Sequence, residues 1–327
     1  MKILGIETSC DETGVALVED GTKILSNQLA TSASLHTATG GIIPENAARE
    51  QVKVILPTLK ASLKEAGVDL ESIDAIAVTH GPGLIGSLLV GVELARTLSF
   101  AKNLPLIPTN HLYGHIYAAW LENKNPPTFP FLALVVSGGH TDLVLFKDHG
   151  KIEYIGGTRD DAAGEAFDKT ARLLGLSYPG GPAISKEALK SKGAPFFLPR
   201  PMIDSGDFDM SFSGLKTAVL NEVRMRDLTP QLVSDFAWEI EEAIVELLVT
   251  KTVRAAEKLQ VKEIVMGGGV SANSKLRKTM TKAFSGRVNV PEPKYSTDNG
   301  AMIASAAFFN QKIVPWNQIK VDPSLHY

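Results

Sequence analysis

The chain has 327 residues, more than one hydrophobic core normally organises, so two domains are expected. Hydrophobic residues make up 44% and charged residues 21%, which excludes a disordered or fibrous chain. A formal net charge of −3 excludes a domain-wide positive field that would hold nucleic acid unaided, but not a local basic patch.

The opening MKILGIE puts an acid at Glu7, where a secretion signal needs an apolar region. No apolar run approaches the roughly 20 residues of a membrane helix, and a single cysteine, Cys10, excludes an internal disulfide. A cytoplasmic protein with no membrane association is expected. In chain order, residues 3–24 form two apolar strands around a polar turn carrying Cys10, Asp11 and Glu12. A helix is expected over 44–63, a buried strand over 74–79 and an apolar helix over 87–101. A strand over 104–108 precedes Asn110, which opens a helix carrying HLYGHIYAAW. The polar segment 122–130 is the expected hinge, followed by a second hairpin over 131–152. Helices are expected over 162–174 and 228–259, the second long enough to be two. A strand over 263–266 runs into Gly267-Gly268-Gly269, 289–297 is extended, and a helix over 299–310 closes the chain. Strands alternate with helices in both halves, so the class is α/β.

The two hairpins are one pattern written twice, 128 residues apart. Leu4/Leu132, Ser9/Ser137, Thr13/Thr141, Leu17/Leu145 and Asp20/Asp148 coincide without a gap. Such repetition implies a duplicated domain, each half offering a small-residue turn whose backbone N–H groups suit phosphate.

His111 and His115 lie four apart, on one helix face, where they can share a metal ion. Zinc peptidases carry Glu directly after the first His as general base; Leu112 stands there, which counts against a metal-dependent peptidase. Asp298, at the expected N-cap of the last helix, is the candidate third ligand. Three glycine turns are expected after strands: Ser137-Gly138-Gly139, Gly180-Gly181-Pro182 and Gly267-Gly268-Gly269. They suit the walls of a nucleotide site, although none matches a P-loop or dinucleotide fingerprint, and a small-molecule kinase stays an alternative. Asp168 can accept from ribose hydroxyls or pair with Arg172, and Asn273 can bind a ribose or cap the next helix. Asp11 or Glu12 can act as a general base; Cys10, with no nearby His in sequence, reads as a turn residue. Lys186, Lys190, Lys192 and Arg200, and Lys275, Arg277, Lys278 and Lys282, are basic clusters able to meet a phosphate backbone.

IETSCDET (6–13), NHLYGH (110–115), LVVSGGHT (134–141), FSGLKTA (212–218), GGGVSAN (267–273) and STDNGAMIA (296–304) together resemble the bacterial TsaD family, long catalogued as glycoproteases. The resemblance spans nearly the whole chain; Gly300 stands where Ala is usual and Ser296 where Cys is common. It implies an actin-like (ASKHA) duplicated two-lobe fold with an interlobe nucleotide and metal cleft. The lobes expected are 1–125, completed by 297–327, and 126–296. It implies transfer of a threonylcarbamoyl group from threonylcarbamoyl-AMP to N6 of the adenosine 3′ of the anticodon, in tRNAs reading codons that begin with A. The implied metal ligands are His111, His115 and Asp298, for Fe(II) first and Zn(II) second; the implied adenylate site is Val135, Val136, Ser137, Gly138, Gly139, Asp168, Gly181 and Asn273. Implied partners are tRNA, a TsaB-like paralogue and a TsaE-like ATPase.

Overall fold

A computed structural model describes residues 1–32 and 43–327, which form two compact units: Met1–Pro127 with Pro291–Tyr327, and Thr128–Val290. The first unit contains β1 (Lys2–Glu7), β2 (Glu12–Glu19), β3 (Lys23–Thr31), α1 (Pro44–Ala66), β4 (Ala75–Gly81), α2 (Ile85–Lys102), β5 (Leu106–Asn110) and α3 (His111–Tyr117). The second contains β6 (Phe131–Val136), β7 (Thr141–Asp148), β8 (Lys151–Gly157), α4 (Ala163–Leu173), α5 (Gly180–Ala188) and α6 (Ser213–Arg224). It continues with α7 (Pro230–Lys258), β9 (Glu263–Gly267), α8 (Ser274–Ala283) and β10 (Arg287–Asn289). The chain then returns to the first unit with the short α9 (Pro293–Ser296) and with α10 (Gly300–Phe309).

Each unit is built on a five-stranded sheet, in the orders β3-β2-β1-β4-β5 and β8-β7-β6-β9-β10. Both begin with antiparallel pairs and add two parallel strands. Leu4 pairs with Leu17 and Leu132 with Leu145, equivalent positions of the sequence repeat in equivalent register. The duplication therefore extends to strand order and register.

The sheet of the first unit is covered on both faces, which is why its strands are nearly continuous apolar runs. Ile3, Ala16, Ala75 and Ala77 pack with α10, while Leu4, Ile6, Val15 and Val78 pack with Ile55 and Leu59 of α1 and Val92 of α2. The α10 helix comes unusually close to the sheet because glycines meet there. A Cβ on Gly5 would stand 2.1 Å from the Gly300 carbonyl oxygen, and one on Gly14 would stand 2.7 Å from Gly300 N. Gly5→Ala is expected to cost at least about 2 kcal/mol, since backbone on backbone cannot yield. Chemical denaturation checks this; an unchanged midpoint would show that the helix can lift off the sheet.

Four sequence expectations are corrected. Residues 228–259 form one helix, not two: Thr229 caps it, and no Gly or Pro interrupts it after Pro230. The stretch 289–297 is not extended throughout: the strand Arg287–Asn289 ends at its first residue, and Pro293–Ser296 is a helical turn opened by Pro293. Gly180-Gly181-Pro182 does not follow a strand; it opens α5 after the α4 helix. The N-cap of α10 is Asn299, whose side chain accepts from Met302 N at 3.0 Å, so Asp298 does not cap it. Among the described residues no helix is long and apolar enough to cross a membrane.

Candidate active site

In the first unit, α3 begins at the end of β5, where the Asn110 side chain accepts from Leu112 N at 2.8 Å. That cap sets the helix phase, directing His111 and His115 the same way, with ring centroids 4.5 Å apart. The close fit of α10 against α3, where a Cβ on Gly114 would stand 2.8 Å from Ile303 Cδ1, carries the preceding turn to the same place. Asp298 Oδ1 lies 3.3 Å from His115 Nε2 and 3.7 Å from His111 Nε2. Ligand atoms of the three residues all fall within 4.8 Å of one another.

Two imidazoles and one carboxylate suit Fe(II) or Zn(II). His115 is 1% exposed, and neither of its ring nitrogens makes a hydrogen bond. A buried nitrogen left so is costly, and an ion held with Asp298 would satisfy Nε2, the nitrogen that faces that carboxylate. The residues present fit the metal. Burial works against an imidazolium at His111, but Glu7 and Asp298 more than offset it and raise its pKa to about 9. A metal must displace that proton. Leu112 is fully buried where a peptidase would present its Glu.

Glu12 opens β2, and its Oε2 is buried without a hydrogen-bond partner. Burial, then the nearby Asp11 and Asp298 charges, raise its pKa to about 7, against the opposing hydrogen bond of Thr31. The backbone carbonyl of Asp11 accepts from the Ser32 hydroxyl at 2.9 Å. Burial pushes the Cys10 thiol strongly up, so it is no thiolate nucleophile, and its carbonyl is anchored by Ser87 and Gln51.

In the second unit, Val135 and Val136 end β6, and Ser137 begins the turn to β7. The Ser137 side chain accepts from His140 N at 3.2 Å, while its carbonyl accepts from Gly164 N at the start of α4. A Cβ on Gly138, Gly139 or Gly181 would meet nothing within 4 Å; these positions border open space. Gly268 differs, with φ at +90° and a Cβ position 2.4 Å from the Val136 carbonyl oxygen, so its glycine serves strand packing. Asp168 accepts from Gly180 N at 2.7 Å, joining α4 to the start of α5. Asn273 caps α8 through Leu276 N, and its Nδ2 donates to Ser185 and Glu241. It braces α5, α7 and α8 together. Of the basic residues, Arg200 is buried against Glu239 and Glu246 and is not available to a phosphate. Lys275 pairs with Glu242 and Lys190 with Glu187.

Sequence reasoning missed Glu7, which accepts from Thr79 and lies 3.1 Å from His111 Nδ1. Its signal was an acid ending an otherwise apolar strand.

Two units with the same sheet order place the protein in the actin-like fold class. Solved structures agree: HypF of T. kodakarensis is 16% identical with a TM-score of 0.61, covering 94% of this chain and 47% of that one. Component A of the (R)-2-hydroxyglutaryl-CoA dehydratase of Acidaminococcus fermentans is 14% identical with a TM-score of 0.57, covering 94% and 98%. The chain belongs to the TsaD family, tRNA N6-adenosine threonylcarbamoyltransferase, which it matches over residues 23–305. The enzymes of that description from Dehalococcoides mccartyi strains BAV1 and CBDB1 are each 52% identical over 309 residues, 94% of this chain and 93% of theirs. The chain is thus a transferase that modifies tRNA adenosine.

Proposed function

We propose that the chain takes the threonylcarbamoyl group from threonylcarbamoyl-AMP and passes it to N6 of the adenosine 3′ of the anticodon, in tRNAs reading codons that begin with A. The convergence of His111, His115 and Asp298, with the buried Nε2 of His115 left without a hydrogen bond, carries this reading. His111, His115 and Asp298 would hold a divalent metal, Fe(II) first and Zn(II) second, and when bound it would supply Lewis-acid polarisation of the carbamoyl carbonyl. The adenine amine forms the new N–C bond as the bond from the carbamoyl carbon to the phosphate oxygen breaks, and AMP leaves with that electron pair. The mixed anhydride is a good electrophile, so positioning and charge stabilisation supply most of the acceleration.

The turn from Val135 to Gly139 receives the phosphate of the adenylate, where open space at Gly138 and Gly139 lets a ligand approach the backbone. Gly181 offers the same access beside Asp168, a carboxylate for the ribose hydroxyls. Asn273 contributes through the helices it braces.

Glu12, with Asp11 beside it, takes the proton released by the amine. A base with a pKa of about 7 is half ionised near neutrality. The single-turnover rate should therefore rise with pH through about 7 and level above it, since only the carboxylate can accept the proton. Glu12→Gln should remove that limb and slow transfer by about 100-fold or more. An unchanged profile in the variant would assign the proton to another acceptor.

Val52 and Leu56 on α1 and Ile85 and Leu89 on α2 are exposed apolar side chains. They supply a docking face for the TsaB-like paralogue, with a TsaE-like ATPase completing a cytoplasmic assembly. With a net charge of −3 and basic residues partly engaged in ion pairs, the chain gains its hold on tRNA with those partners.

A further inference from the structure

We propose, on the metal reading above, that Glu7 is the positioning residue of the metal centre: it holds the Nδ1 side of His111, so that Nε2 is the nitrogen this ring offers beside His115 and Asp298. Glu7 ends β1 and is 1% exposed. Its Oε1 accepts from the backbone N–H of Ser9 at 2.5 Å, and its Oε2 accepts from the Thr79 hydroxyl at 2.5 Å. That same Oε2 lies 3.1 Å from His111 Nδ1. Burying a carboxylate is costly unless its oxygens are hydrogen-bonded. Here both are bonded by β4 and by the turn after β1, independently of the histidine. The place of Oε2 is therefore set by the sheet and passed on to the ring.

The Ser9 hydroxyl reinforces this hold, 3.2 Å from the same Nδ1. With Nδ1 engaged, Nε2 alone faces the cluster, 3.7 Å from Asp298 Oδ1. His115 has no such support, for its Nδ1 makes no hydrogen bond. The two imidazoles are therefore unequal ligands. His111 is oriented and made more basic by an anionic partner, as carboxylate–histidine–metal arrangements are, whereas His115 takes its orientation from packing.

Zinc titration of the full chain against a chromophoric chelator tests this. Glu7→Gln should weaken zinc binding by about 10- to 100-fold, because the amide loses the charge and turns a donor toward either Thr79 or Ser9. Equal affinity in the variant would overturn the proposal and leave the metal reading standing. Failure of the unaltered chain to bind zinc would overturn the metal reading itself, and the proposal with it. The ring assignment is read without any substitution, by long-range nitrogen–proton NMR correlation on the zinc-loaded protein. His111 should appear protonated at Nδ1 and coordinated through Nε2. Coordination through Nδ1 would overturn the proposal even if Glu7→Gln failed to fold.

Discussion

Replacing His111 with alanine is expected to reduce bound zinc to background and to slow threonylcarbamoyl transfer about a thousandfold. That factor matches the several kcal/mol that Lewis-acid polarisation contributes to attack on a carbonyl. The fold should survive. The α3 helix is held by buried Leu112, Ile116 and Tyr117 and by its Asn110 cap, none of which depends on the imidazole. In the unaltered chain, zinc affinity should rise as pH climbs from 7 toward 9 and level above, because His111 keeps its proton up to about 9 and must lose it to act as a donor. Metal analysis and competition titration across that range check both statements. A variant that retains stoichiometric zinc would remove His111 from the centre.

Gly139→Val should be nearly silent for stability and severe for binding. No heavy atom lies within 4 Å of the added Cβ and the backbone there needs no left-handed conformation, so the side chain enters the space assigned to the phosphate. Affinity for AMP and for the adenylate should fall about 100-fold, equivalent to about 2.7 kcal/mol. Gly268→Val offers the contrast: its φ of +90° and its contact with the Val136 carbonyl predict a damaged fold. Calorimetry of AMP binding beside thermal denaturation separates the two effects. Unchanged affinity in Gly139→Val would refute this placement of the phosphate.

The parts of the site set by local periodicity were legible in the sequence. The hairpin repeat announced the duplication because strand alternation and turn residues are local signals. The pair at His111 and His115 announced a common face because residues four apart stack on a helix. What stayed hidden depends on contacts between distant segments. Glu7 and His111 are brought together by β1, β4 and the end of β5 lying side by side, an order that no spacing in the sequence expresses. Asp298 looked like a cap because either of two adjacent residues can cap a helix; only the backbone turn at Asn299 decides between them. Asn273 illustrates the reverse case. Its role as a cap was readable, but its amide bonds to Ser185 and Glu241 join segments that lie 88 and 32 residues away. Helices α5 and α6 are not legible in the sequence, because Gly180, Gly181 and Pro182 open the first and Ser213 and Gly214 the second.

The most direct test of the central claim is single-turnover transfer of labelled threonylcarbamoyl from its adenylate to tRNA. The reaction is run at fixed salt with the metal-loaded chain, with and without TsaB- and TsaE-like partners, and repeated with Asp298→Ala. Label should reach N6 of the adenosine 3′ of the anticodon only when the partners are present and the cluster is intact, with AMP released in equal amount. Transfer at the same rate by Asp298→Ala would contradict the assignment of the His111, His115 and Asp298 cluster to the reaction.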